Sequence, residues 1–133
     1  MDNAFESIKW FADPHPRPRY GLAVCKLQHG PMLLITNLYG RATGKEEDKA
    51  RTFNSINSRM KEIKTAYNIT LTIVAGDFYV DLDMIERSAK NSYEALKLLI
   101  SVHNLVDSFR ICHPDPSSAP GYTYIGWIDP KYD

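Results

Sequence analysis

Only two cysteines occur in the 133 residues, Cys25 and Cys112. Two so widely separated give no disulfide framework, so the expected setting is reducing and intracellular, nucleus or cytoplasm. No apolar run approaches the ~20 residues needed to span a bilayer, and the opening MDNAFESIKW lacks the apolar stretch of a signal peptide, so no membrane partner is expected. Net charge is also missing: 16 Lys and Arg balance 16 Asp and Glu, which removes any overall electrostatic case for nucleic acid. The four histidines, at 15, 29, 103 and 113, keep no metal-ligand spacing, which argues against a zinc site. No internal repeat or low-complexity tract breaks the chain. What is there has the make-up of one globular domain, 44% hydrophobic and 24% charged.

The charge that exists is unevenly placed. Residues 31–69 hold seven Lys and Arg against four acids, and residues 70–133 hold five against nine. A carboxylate-lined site is therefore expected in the second half. Residues 1–19 read as an irregular lead-in, because DPHPRPR sets prolines at alternate positions and blocks helix. YGLAVCKL (20–27) and MLLITNL (32–38) flank the turn QHGP and read as a β-hairpin of two largely buried strands. From Lys45 to Tyr67, Ala50, Phe53, Ile56, Met60, Ile63 and Tyr67 recur every three or four residues, the mark of an amphipathic helix. Thr43 is its expected N-cap, with Glu46 as capping-box partner. Ile69–Ala75 reads as a strand ending at Gly76-Asp77, and Tyr93–His103 as a second helix stopped by Asn104. Leu105–Asp107 reads as extended, 110–121 as a proline-rich loop and Tyr122–Trp127 as a last strand. The order β-β-α-β-α-β predicts an α/β (α+β) sandwich, a mixed sheet with flanking helices.

GRATGK (40–45) fails as a phosphate loop. Its glycines are one residue too close, and Glu46 stands where Ser or Thr would touch magnesium. Asp77 is a better candidate for chemistry. A carboxylate delivered by a strand end, beside a glycine that permits close approach, can hold a metal or activate a water; it can equally cap a loop.

The ordered blocks ITNLYG, IVAGDF, LVDSFRICHP and YTYIG resemble the endonuclease/exonuclease/phosphatase (DNase I-like) family, nearest to the endonuclease domains of LINE-type non-LTR retrotransposons. Those domains carry N-(I/V)-Y-A-P-N, G-D-F-N, L-(I/V)-D-x-(W/Y)-R-x-x-H-P and (Y/F)-T-(W/F) in the same order. The resemblance covers residues 20–126 and implies a partial domain of that fold over 20–133. It implies that Asp77 is the aspartate orienting the attacking water and Tyr39 the tyrosine beside the scissile phosphate. Thr123 would face DNA, and Asp107, Arg110, His113 and Pro114 would form a structural block. Magnesium and a DNA partner are likewise implied.

Two family positions differ here. The asparagine of G-D-F-N is Tyr79, a substrate-side position where a phenol lacks the amide's paired donor and acceptor. The asparagine of Y-A-P-N falls at Ala42. The family's metal-binding glutamate has no counterpart before residue 20 (Glu6 is too close to the start), and its S-D-H block is expected beyond Asp133. Three readings follow: a piece of a magnesium-dependent endonuclease, a diverged copy kept as a non-enzymatic interaction module, or a remnant without a role. Since the family stacks two sheets face to face, the resemblance also implies an uncovered apolar sheet face and self-association through it.

Overall fold

The computed structural model describes residues 4–40, 45–80, 82 and 90–114. Four strands form one sheet in the order β1-β2-β3-β4, with β1 at Phe5–Ala12, β2 at Tyr20–Leu27, β3 at Met32–Tyr39 and β4 at Leu71–Asp77. β2 runs antiparallel to both β1 and β3, and β4 joins β3 in parallel. Three helices accompany them: α1 at Glu46–Tyr67, α2 at Lys90–Val102 and the short α3 at Ser108–Cys112. The chain is thus mixed α/β, with a mixed sheet and flanking helices.

α1 follows its sequence periodicity. Phe53, Ile56, Met60 and Ile63 are buried, and they meet Leu22, Val24, Leu34 and Leu38 on one face of the sheet. Ala95, Leu96 and Leu99 of α2 close the same core. Asn57 is buried as well, because it faces the residue that follows α2, His103, whose Nε2 lies 2.8 Å from Asn57 Oδ1. With Nε2 donating there, Nδ1 is left to accept from the Lys64 ammonium at 3.3 Å. Burial, followed by the Lys64 charge, holds the His103 imidazole below its ordinary pKa.

Several expectations need correction. Residues 5–12 are not irregular: they form β1, paired antiparallel with β2, while the proline-containing stretch is only its connection to β2. β4 spans Leu71–Asp77 rather than 69–75, and among the described residues it is an edge strand, with Leu71 and Ile73 about half exposed. Lys45, not Thr43, is the residue preceding α1, and it makes no side-chain cap; Thr43 lies outside the described residues. Glu46 turns to α2 instead and accepts from Ser92 N, in that helix's first turn, at 2.6 Å. Residues 110–112 are helical, because Asp107 caps α3 by accepting from Phe109 N and Arg110 N. The expected strand 122–127 lies outside the described residues.

Cross-strand register defines the second face of the sheet. Ile8, Cys25, Leu33 and Leu71 form one row, and Trp10, Ala23, Ile35 and Ile73 the next. None of these belongs to the core that α1 and α2 cover. Trp10 is 75% exposed, and Ile8, Leu71 and Ile73 are between 43% and 49% exposed.

Ile56 is fully buried at the middle of the α1 stripe. Its truncation to alanine is expected to cost about 2–5 kcal/mol, through lost burial and the cavity left behind. Chemical denaturation checks this, and a loss below about 1 kcal/mol would contradict the packing described.

Candidate functional site

The parallel register sets Tyr39 directly opposite Asp77, at the C-terminal ends of β3 and β4. Two glycines make this closeness attainable. Gly76 has φ +135, open to glycine and strained for any other residue, and a Cβ there would strike the Leu38 carbonyl. Gly40 donates its N–H to the Asp77 carbonyl at 2.8 Å, and a Cβ on it would strike that same oxygen. The two strand ends are therefore drawn together by backbone contact, and Asp77 cannot shift without breaking it.

The Asp77 carboxylate is exposed, and no described residue donates a hydrogen bond to it. The Tyr39 ring is also largely exposed, with the Arg19 guanidinium 5.7 Å from its centroid. Tyr39 further borders a cavity of about 660 Å³ roofed by the 13–19 connection. Asp77 is not a wall of that cavity, so the two sequence candidates touch different spaces.

Tyr79 differs from its expected placement. β4 ends at Asp77, so the alternation that would put residue 79 on the same side does not reach it. It takes a left-handed conformation, φ 51, and its ring lies over Gly40. Asparagine adopts that backbone far more readily than tyrosine does. Thr123 lies outside the described residues, as does Ala42.

Magnesium needs oxygen ligands in near-octahedral array, usually one or two carboxylates with waters and substrate phosphates. Among the described residues no group of three His, Cys, Asp or Glu stands close enough to hold a metal, and Asp77 is a lone carboxylate. The described residues do not by themselves fit a bound magnesium ion. What they can do is modest: one carboxylate to orient or deprotonate a water, and one phenol beside it.

The block Asp107–His113 is tied together by local contacts. Besides capping α3, the Asp107 carboxylate pairs with the Arg110 guanidinium, and the Phe109 and His113 rings pack with centroids 4.5 Å apart. Partial burial pushes the Asp107 pKa up, but the Arg110 N–H and guanidinium and the Phe109 N–H outweigh it and hold the carboxyl below its usual range. These contacts build a turn and reach no candidate catalytic group.

Sequence reasoning missed the cavity. Its cationic members, Arg17, Arg19, Lys49 and Arg51, come from two segments about thirty residues apart. Only the prolines at 14, 16 and 18 hinted that the first segment was shaped. Compared with models of protein families and with curated proteins, the chain matches none.

The strained backbone at residue 79 yields a test. Tyr79→Asn is expected to raise stability by about 1 kcal/mol, the order of the left-handed penalty relieved, because the half-exposed ring contributes little packing. Denaturation midpoints check this, and an unchanged or lowered midpoint would refute it.

Proposed function

We propose that this chain is a diverged portion of a retrotransposon-type, metal-dependent DNA endonuclease of DNase I-like fold, without a complete catalytic set of its own. The observation that carries the reading is the backbone at Tyr79. Its left-handed conformation suits asparagine, at the one position where the resemblance expects asparagine and the chain has tyrosine. The Gly76-Asp77 strand end adds support, since it presents a carboxylate beside Tyr39 in the order the resemblance implies. Catalysis by this family needs metal, activated water and a partner for the phosphate, and losing interdependent members removes nearly all activity. The purified chain is therefore expected to show no magnesium-dependent nicking of supercoiled plasmid, and Tyr79→Asn alone should not restore it. Robust nicking abolished by Asp77→Ala would overturn this and mean that the catalytic set is complete. The origin is tested separately by sequencing the locus: a reverse-transcriptase frame and an S-D-H block downstream would support it.

A second reading, an interaction module derived from such a domain, is favoured by the sheet face that no described helix covers. Its two central rows carry no charge. A charged partner would find nothing there to pair with, whereas a second copy of this chain could oppose it without burying an ion. Exposed apolar patches of several hundred Å² generally mark such contacts. Light scattering is expected to show self-association, reduced by Trp10→Ser with Ile73→Lys. A monodisperse monomer at high concentration would rule this reading out.

A further inference from the structure

The cavity beside Tyr39 lies on the helix-facing side of the sheet. Its floor is apolar: Tyr20, Leu38 and Phe53 are nearly fully buried, and the Phe53 and Phe78 rings stack with centroids 6.3 Å apart and planes 16° apart. One polar pair interrupts that floor, Tyr20 Oη with Ser55 Oγ at 2.7 Å, a bond that uses one of the two hydroxyl protons. A ligand's body in this space must therefore be flat and largely apolar.

The mouth is cationic. Arg17, Arg19, Lys49 and Arg51 stand around it against two carboxylates, Asp13 and Asp48. Both carboxylates are engaged. Asp13 accepts from His15 N at 3.0 Å and from Arg19 N at 2.8 Å, and Asp48 lies 3.5 Å from Arg51. Four cations against two acids leave two positive charges at the opening of a chain whose net charge is zero.

The roof is preshaped. Besides the Asp13 contacts, Arg17 N donates to His15 Nδ1 at 3.0 Å, and Tyr39 N donates to the Arg19 carbonyl at 2.7 Å. Three prolines restrict what remains of its freedom. A preformed cavity of about 660 Å³ is within the usual range for a small ligand.

We infer that this cavity binds a phosphorylated aromatic small molecule, its ring against the partly buried Phe78 and its phosphate between Arg17, Arg19 and Lys49. A phosphomonoester carries close to two negative charges at neutral pH, matching the surplus at the mouth, and arginine forks suit its oxygens. The inference does not rest on the nuclease reading, because Asp77 takes no part in the cavity.

The test is ligand-observed, so that self-association does not obscure it. Saturation-transfer NMR on the full chain is expected to show transfer to the base protons of adenosine 5′-monophosphate and to the ring protons of phenyl phosphate. By calorimetry the monophosphate should bind at least tenfold more tightly than adenosine or inorganic phosphate, and phenyl phosphate more tightly than benzoate. Arg17→Ala with Lys49→Ala should weaken the monophosphate at least tenfold while leaving adenosine binding and the far-ultraviolet circular dichroism unchanged. Trp10→Ser, on the opposite face, should leave all affinities unchanged. Absence of transfer, benzoate binding as well as phenyl phosphate, full affinity in the double variant, or loss of binding in Trp10→Ser would each overturn the proposal.

Discussion

The apolar stripe of α1, Phe53 through Ile63, rests on Leu22, Val24, Leu34 and Leu38, and this contact decides where the chain goes after β3. Four such side chains fully buried contribute on the order of 6–12 kcal/mol before entropy is charged against them. That is comparable with the whole net stability of a small domain. With α1 fixed across the sheet, the chain can return only beside β3, so β4 lies parallel to it and Asp77 arrives opposite Tyr39. The first turns of the same helix supply one wall of the cationic cavity. Both candidate sites are consequences of one buried stripe.

Much of this was legible in the residues. The three- and four-residue spacing marked α1, two short apolar runs flanking QHGP marked the β2–β3 pair, and Gly76-Asp77 marked the strand end. β1 escaped because FESIKWFA alternates poorly: Lys9 sits on the inward side with Phe11. The structure shows why that is tolerated, since the Lys9 ammonium lies 5.4 Å from the Phe11 ring and 5.6 Å from that of Tyr67. Lys9 itself stays exposed, so its charge keeps its water while the side chain lies along those rings, and no spacing rule shows such rings in advance.

β4 shows what composition leaves open. LTIVA is as apolar as a strand buried on both faces, yet Leu71 and Ile73 are about half exposed. Hydrophobicity states that a face needs a partner; it does not say whether the partner lies within the same fold. Glu46 is a tertiary case. Its position fitted a local cap, and the N–H it satisfies belongs to Ser92, 46 residues away. The cavity was illegible for the same reason, because Arg17 and Lys49 become neighbours only once the sheet and α1 exist.

The topology also orders events in time. β1, β2 and β3 are joined by connections of seven and four residues, spanning 13–19 and 28–31, so their pairing closes short loops. β3 and β4 are separated by residues 40–70, and their parallel ladder can form only after that long excursion is folded back. The antiparallel meander therefore has the lower barrier to assembly, and the last strand waits on the helix. During assembly, a defect in α1 would be felt first at the arrival of Asp77, because β4 depends on the helix for its place beside β3.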